Sequence, residues 1–279
     1  MTLRSKIVLS VLIAALPAAA QAADLQATPR MVAPAAPAAS GYIVTVTGDV
    51  QGARRFPGSD EMTAFFYPGL DWRRVGQPER FKAPDDGISF TLYETPWLSF
   101  GPTARFVGRR SPKDDHDFIG LHKVDFTVEG GAFLEIWPLE FLRARAEIRQ
   151  GINGHDGLVG NLGLDYVQRF GAFTFSIGPR LALGDSDYTH EYFGITPLES
   201  IANGRVPAFR PDGGVTSVGG LASLKYRWSE QWATTVYGGY NRLVEDAGRS
   251  PVSRVLGSRD EYIVGAQLSY SFYFPGFGF

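Results

Sequence analysis

The chain has 279 residues, with 27 lysines and arginines against 29 aspartates and glutamates and no cysteine. A formal net charge of −2 provides no basic surface for nucleic acid, and the lack of cysteine excludes disulfides, thiolate-bound zinc and cysteine nucleophiles. Beyond the N-terminus no apolar run has the length of a membrane helix. Two classes remain: a soluble all-β protein, or a membrane β-barrel whose apolar surface is hidden by alternation.

The N-terminus is typical of an export signal. Two basic residues precede an apolar core over residues 7–16, and Ala20-Gln21-Ala22 offers the small residues that a signal peptidase needs. We therefore expect residues 1–22 to be a signal peptide. The composition of residues 23–40, rich in alanine and proline, predicts an extended periplasmic linker.

Alternation with a period of two runs through the rest of the chain. Residues 142–149 and 262–272 carry apolar side chains at every even position, and residues 143–149 carry charged ones at every odd position. Such segments have about the length that a tilted membrane strand needs. Short connections alternate with long polar ones, as they do in bacterial outer-membrane barrels.

These patterns predict an all-β fold, a transmembrane antiparallel up-and-down β-barrel over residues 41–274. Both termini are expected in the periplasm, with residues 275–279 as a short C-terminal tail. The barrel has twelve strands if residues 79–83 and 88–93 form two separate short strands. Ten strands is the alternative if that segment is not embedded in the membrane.

The tryptophans support a membrane barrel. All five lie within a few residues of a proposed short turn: Trp72, Trp97, Trp137, Trp228 and Trp232. An aromatic girdle at the headgroup level predicts such placement. A soluble β-sandwich shares the period-two signal and stays open as the alternative.

Charged side chains share one face of several predicted strands. Because charges cannot face lipid cheaply, this face should point into the lumen. The predicted lumen-facing charges are Arg105, Glu129, Glu135, Arg143, Arg145, Glu147, Arg149 and Arg180, with Asp165, Lys225 and Arg227 on the same face. They form either a selectivity lining or ligand site, or a polar plug that holds the barrel shape.

Signals for an enzyme are weak. The run Asp114-Asp115-His116-Asp117 has metal-binding residue types but no ordered spacing. Ser186, His190 and Glu191 are near in sequence, which does not establish the geometry of a catalytic triad. We predict no catalytic residues, no metal and no cofactor.

Two loop segments and the end of the last strand carry sequence motifs that are more specific to one family than the alternation of the other strands is. They contain Tyr188, Tyr192, Phe193 and Gly194, then Asp246, Ser250 and Pro251, and finally Tyr270-Ser271-Phe272. In this order they resemble the MipA/OmpV family of outer-membrane proteins, over residues 42–272. Tyr270 and Phe272 also resemble the terminal signal that the barrel-assembly machinery recognises.

The resemblance implies a non-enzymatic barrel in the outer membrane of a Gram-negative bacterium, in contact with outer-membrane lipid and inserted by the barrel-assembly machinery. It implies a scaffold that holds a murein-cleaving lytic transglycosylase near a murein synthase, with no catalytic residues carried over. A small diffusion channel or solute-binding barrel is the first alternative, and an outer-membrane lipid hydrolase is the second.

Overall fold

The computed structural model describes residues 41–111 and 116–275. The predicted signal peptide and linker, residues 1–22 and 23–40, lie outside the described residues, as does the tail after residue 275. The strands are β1 (Tyr42–Arg54), β2 (Met62–Arg74), β3 (Ile88–Ser89), β4 (Tyr93–Glu94), β5 (Leu98–Val107), β6 (Thr127–Leu139), β7 (Leu142–Ile152), β8 (Leu158–Phe170), β9 (Phe173–Gly184), β10 (Gly214–Arg227), β11 (Trp232–Leu243) and β12 (Asp260–Phe274). The helices are α1 (Ser186–Phe193), α2 (Pro197–Asn203) and α3 (Glu245–Arg249), with a 3-10 turn (His116–Phe118) and a π-helical turn (Val252–Leu256). None of the helices in the described part of the chain has the length and apolarity needed to cross a membrane.

The strands form one antiparallel sheet in the order β2-β1-β12-β11-β10-β9-β8-β7-β6-β5-β3, and β4 also pairs with β5. The first and last long strands are neighbours, with Tyr42 opposite Phe274 and Gly52 opposite Val264. Because the sheet curves until the first and last long strands of the chain pair with each other, it forms a nearly closed barrel. The predicted all-β, antiparallel, up-and-down fold is confirmed.

The expected count of twelve strands is confirmed, but both short strands, β3 and β4, lie within residues 88–94, where one short strand was predicted. Ten strands have at least ten residues each, which is about what a tilted crossing needs, while β3 and β4 have two each. The prediction of a strand over residues 79–83 was wrong. Residues 78–87, the inward loop, leave the wall because Pro84 cannot donate to a ladder and because a strand through the next two residues, both aspartates, would expose one of them to lipid.

The outward surface of the barrel is apolar. It carries these exposed side chains: Val46, Val50, Phe66, Leu70, Leu134, Ile148, Leu162, Val236, Val264 and Leu268. Soluble proteins rarely expose so continuous an apolar surface, whereas a bilayer covers it. The soluble sandwich is therefore excluded by where the alternating residues point.

Four of the five tryptophans lie exposed near the short turns: Trp72, Trp97, Trp228 and Trp232. The fifth, Trp137, was wrongly placed in the girdle. Its indole Nε1 donates to Glu135 Oε1 at 2.9 Å, and its ring meets Phe81 of the inward loop edge to face. A hydrogen-bond acceptor inside the barrel thus turns this ring away from the headgroup level.

The two ends of the barrel differ. At the short-turn end, β6–β7, β8–β9 and β10–β11 are joined by tight turns, and both Tyr42 and Phe274 lie there. At the long-loop end, the three helices and the two turns pack into a folded cap. Its buried apolar core is Phe56, Phe118, Leu121, Val124, Tyr192, Phe193, Ile195, Val206, Leu243, Ala247, Val252 and Leu256. The sequence predicted these segments as polar loops, because their apolar residues follow no regular period.

The closing strand generates a prediction about assembly. Phe272 faces outward opposite Val44, and the strand ends at Phe274, before Pro275. We expect Phe272→Asp to block insertion into the outer membrane, because it places a charge at the lipid surface next to the chain end. Heat-modifiable migration of the protein in outer-membrane fractions is the measurement. Deletion of residues 275–279 is the control and should be tolerated; the opposite pair of results would place the signal in the tail.

Candidate functional site in the barrel lumen

Arginines of β7 form the centre of a charged network inside the barrel. Arg143 is 1% exposed, and it donates from Nε to Glu135 Oε2 at 2.9 Å and from Nη1 to Asp165 Oδ2 at 2.8 Å. Two residues further along β7, Arg145 donates from Nε to Glu147 Oε1 at 2.9 Å. The register sets Arg143 opposite Asp165 and Glu135 opposite Arg145, so direct and diagonal cross-strand pairs both form.

A second part of the network reaches the cap. Arg149 donates from Nε to Glu129 Oε2 at 2.9 Å, and His155 lies 3.2 Å from Glu129 Oε1 through its Nε2. The Nδ1 of His155 accepts a backbone N–H at 3.2 Å, which assigns the ring proton to Nε2. The imidazole packs against the rings of Tyr188 and Tyr192, with centroids 5.1 and 5.7 Å away. Lumen and cap are thus joined through one buried histidine.

The inward loop supplies two further acids. Arg180 clamps Asp85 with two hydrogen bonds of 2.6 and 3.1 Å, and Arg105 donates to the Asp85 carbonyl oxygen at 2.6 Å. Asp86 accepts from Arg143 Nη2 at 2.5 Å. The tip of the loop is therefore fixed to β5, β7 and β9 by charge-assisted hydrogen bonds, which are among the stronger kinds.

The two ends of the inward loop are also held. The N–H of Gly87 donates to Glu147 Oε1 at 3.1 Å, and Glu79 forms an ion pair with Lys225 of β10. Arg80 pairs with Glu94 beside the short turns. The loop thus crosses the lumen as a fixed element of structure.

Burial decides the energetics of this network. The free energy lost when two charges leave water is about as large as the free energy gained from their attraction. Such pairs therefore fix the positions of the side chains more than they add net stability. Removing one partner is different, because the remaining charge stays buried and uncompensated. The network therefore holds the shape of the lumen, and it occupies the side of the barrel lined by β5–β9.

Alternation along the strands does not predict the lumenal positions of Asp85, Asp86 and His155, because all three lie in short segments of turn-forming residues between strands. One signal could have found the two aspartates. Alternation along the strands assigned seven cations to the lumen but only four acids. The cations are Arg105, Arg143, Arg145, Arg149, Arg180, Lys225 and Arg227, and the acids are Glu129, Glu135, Glu147 and Asp165. Such an excess in a confined space requires acids from elsewhere in the chain.

The other side of the lumen is open. A cavity of about 1020 Å³ lies between β1, β2 and β10–β12 on one side and the inward loop and charged network on the other, and it extends from Arg74 and Arg227 at the short-turn end to Tyr188 under the cap. Its wall includes the neutral polar side chains of Thr47, Gln267 and other inward residues. Plug and cavity thus coexist, which neither of the two alternatives drawn from the sequence described.

The family-motif loop residues meet in the cap. Tyr192 and Phe193 are fully buried in its core. The Ser250 hydroxyl donates to the Phe193 carbonyl oxygen at 2.6 Å and accepts the N–H of Val252 at 3.1 Å. These bonds join α1 to the segment after α3, so the motif residues hold the cap together.

The remaining motif residues have local roles. Asp246 accepts the N–H of Asp212 at 2.9 Å, Gly194 ends α1 by donating its N–H to His190, and Pro251 is buried next to Ser250. On the last strand, the rings of Tyr270 and Phe272 stack outward with centroids 6.1 Å apart.

A carboxylate attaches α2 to the rest of the cap. Glu199 accepts the backbone N–H of His122 at 2.7 Å and that of Thr196 at 2.8 Å, and it lies 2.6 Å from the ring of His122. Burial raises the pKa of Glu199, but these hydrogen bonds outweigh it and lower the pKa to about 2. Nearby, burial lowers the pKa of Arg110, which donates to the Tyr192 carbonyl oxygen, to about 10.

The residue types considered for catalysis do not form a site. Ser186, His190 and Glu191 share α1, and no hydrogen bond joins their side chains in the part of the chain that is described. Asp114 and Asp115 lie outside the described residues, and Asp117 pairs with Arg205. Within residues 41–111 and 116–275, no group of three histidine or acidic residues could hold a metal.

The network predicts the effect of removing one arginine. Arg145→Leu removes the cation that pairs with all three of Glu147, Glu135 and Asp86, and the buried negative charge left in excess should destabilise the folded barrel by about 3 kcal/mol. Urea unfolding in detergent micelles, followed by heat-modifiable migration, measures the change. Arg242→Leu, which removes an exposed pair with Asp260, is the matched control and should cost much less. Equal losses would argue against a structural role for the network.

The low pKa of Glu199 predicts an acid-sensitive cap. A carboxylate with a depressed pKa stabilises the folded state above its ordinary value of 4.5, and this contribution is lost as the pH falls toward 2. A spin label at Ile201→Cys, an exposed position of α2, should therefore become mobile over that range. Glu199→Gln should make the label mobile at neutral pH, while Glu230→Gln in a distant turn should not. A label that stays immobile at pH about 2 in the otherwise unchanged chain would disprove this role.

Comparisons with known proteins show what this chain is similar to. No curated protein matches the chain. Among solved structures, the COG4313 outer-membrane channel from Pseudomonas putida F1 is 12% identical, with 87% of this chain and all of that chain covered and a TM-score of 0.42. The KdgM porin is 13% identical (82% and 99% covered, TM-score 0.37), and Pseudomonas putida OprB is 10% identical (83% and 94% covered, TM-score 0.40).

The family match is more specific than these likenesses. The model of the family described as MltA-interacting protein MipA matches residues 47–272, from the first strand to the last. That span includes the charged lumen, the inward loop and every cap residue named in the motif. The chain is a membrane β-barrel and belongs to the MipA family.

Proposed function

We propose that the protein is a non-enzymatic outer-membrane β-barrel of a Gram-negative bacterium that serves as a scaffold for murein turnover. In this role it holds a lytic transglycosylase, and through it a murein synthase, at its periplasmic face. The observation that carries the proposal is the match of residues 47–272 to a family described by its interaction with MltA. Export by residues 1–22 and insertion by the barrel-assembly machinery belong to the same proposal.

The difference between the two ends of the barrel supports this role. The long-loop end is covered by the cap, whose apolar residues face its own core. The short-turn end presents exposed charged side chains, among them Arg74, Glu79, Lys82, Arg169 and Arg227. We assign this end to the periplasm, where a charged rim on a fixed frame suits contact with another protein.

The cavity favours a second candidate function. A space of about 1020 Å³ would hold a small solute, and it reaches the short-turn rim while the cap covers its other end. This geometry suits a barrel that binds a solute from the periplasmic side, or a small diffusion channel if the cap moves. The two candidates differ in what they predict for ion flow and for protein partners.

Site-specific crosslinking tests the scaffold. The chain has no cysteine, so single cysteines carrying a photoreactive group can be placed at Gly171 in a short turn and at Ile201 on the cap. In intact cells we expect the Gly171 probe to capture a lytic transglycosylase, because the partner should contact the short-turn end. The Ile201 probe is the matched control and should capture none.

A failure to recover any murein enzyme from the short-turn position would overturn the scaffold role. Single-channel recording in planar bilayers then decides the alternative. The scaffold predicts a closed barrel, whereas a diffusion channel predicts steady conductance from the unmodified protein.

A further inference from the structure

The wall of the barrel has a seam. Within residues 41–111 and 116–275, β2 pairs only with β1, and β3 and β4 pair only with β5. No ladder joins β2 to the segment 88–94 that faces it, because the part of the chain between them has left the wall as the inward loop. The backbone groups on this side of β2 therefore have no strand partner.

Two contacts bridge the seam. At the long-loop end, a Cβ on Gly108 would lie 2.9 Å from the Arg55 carbonyl oxygen, so the two sides touch there. Nearer the short-turn end, the rings of Trp72 and Phe90 pack with centroids 5.1 Å apart. The close approach of segment 88–94 to β5 needs Gly101, where a Cβ would lie 1.9 Å from the Phe90 carbonyl oxygen.

The cavity wall shows that the lumen continues through this seam. Along the middle of β1, where the sheet is closed on both sides, only the inward residues line the cavity, for example Thr45, Thr47, Asp49 and Gln51, and both faces take part only at the ends of the closed strands, as at Tyr262 and Ile263. At the seam, every residue of 67–74 and of 88–92 lines it, including the outward Leu70, Trp72 and Leu92. Because successive residues of a strand point to opposite faces, one cavity can touch both faces only by passing between the strands.

The chemistry changes across this lateral opening. Outside it, Leu70, Trp72 and Leu92 are 58%, 47% and 68% exposed. At its short-turn end, β2 finishes with Arg73 on the lumenal face, where its Nη1 donates to the Gln77 carbonyl oxygen at 3.3 Å, and with Arg74 on the outward face. In the described part of the chain neither lies within 4.0 Å of a carboxylate. An apolar groove that ends in two cations matches the chains and the phosphate of an anionic lipid.

We propose that the lateral opening binds an anionic phospholipid of the surrounding membrane. The acyl chains lie against Leu70, Trp72 and Leu92, and the phosphate lies in the mouth of the opening, between Arg74 of the outward face and Arg73 of the lumenal face. The headgroup and lumenal water also supply partners for the backbone groups of the seam, which would be costly to leave unpaired in hydrocarbon. The site is independent of any murein enzyme and of the proposed scaffold.

A lipid fits this opening better than a peptide strand does. A strand added between β2 and segment 88–94 needs about 4.8 Å on each side. It would have to separate Gly108 from Arg55 and Trp72 from Phe90. A flexible acyl chain can enter the groove below the first contact and beside the second without breaking either.

Native mass spectrometry of the full mature chain tests the site. The protein is reconstituted into vesicles of equal parts phosphatidylglycerol and phosphatidylcholine, and the phospholipid that it retains is identified. We expect the unmodified chain to retain phosphatidylglycerol in preference. Arg73→Gln with Arg74→Gln should lower that preference by about fivefold for each cation. Arg210→Gln with Arg254→Gln, which removes two exposed cations of the cap, is the matched control and should leave it unchanged.

A crosslink tests the position. Trp72→Cys with Phe90→Cys, joined by a short bifunctional thiol reagent, should abolish retention because the groove is blocked. Tyr240→Cys with Tyr262→Cys is the matched pair on the closed wall, with ring centroids 5.3 Å apart in the unmodified chain, and should retain the lipid when joined. Heat-modifiable migration confirms that each unlinked pair is folded.

Three results would overturn the proposal: equal retention of the two phospholipids by the unmodified chain, no effect of the Arg73 and Arg74 substitutions, or full retention after the seam is crosslinked. Recovery of a bound peptide in place of lipid would overturn it as well, since that would make the seam a site for strand addition.

Discussion

The buried pairing between arginines of the wall and aspartates of the inward loop is the interaction on which the rest of the structure depends. Arg143 and Arg180 hold Asp86 and Asp85 in the lumen, where neither side could stay charged alone. A segment placed in the wall would instead expose one of these two adjacent aspartates to lipid, because successive residues of a strand point to opposite faces. The choice between the two places is therefore electrostatic, and it determines both the plug and the seam.

One displacement has two consequences. By leaving the wall, residues 78–87 fill the side of the lumen next to β5–β9 and leave the side next to β1 and β10–β12 open. The same departure leaves β2 with β1 as its partner on one side and without a partner strand on the other. A barrel normally removes every sheet edge by closing, so an edge kept at lipid depth needs polar partners from headgroups or from lumenal water.

The cap adds a second, independent core. Its apolar residues come from four separate connections, and the motif residues Ser250 and Phe193 join two of them by a hydrogen bond. Because His155 contacts both Glu129 and the tyrosines of α1, the cap is attached to the charged lumen as well as to its own core. The cap motifs on which the family resemblance rests thus correspond to contacts that keep one end of the barrel covered.

The sequence alone determined that the fold is all-β, because a period of two indicates strands with one apolar face. The structure then decided between a membrane barrel and a soluble sandwich, because it shows that the apolar face points outward. The sequence also placed Glu129, Glu135, Arg143, Arg145 and Arg149 on one face, since parity along a strand fixes the face of every side chain. It could not place Asp85 and Asp86, whose partners lie on strands far away in the chain. Nor could it predict the cap, whose apolar residues have no period. Only the tertiary structure decided these features, because each depends on which distant residues the closed sheet brings within hydrogen-bond distance.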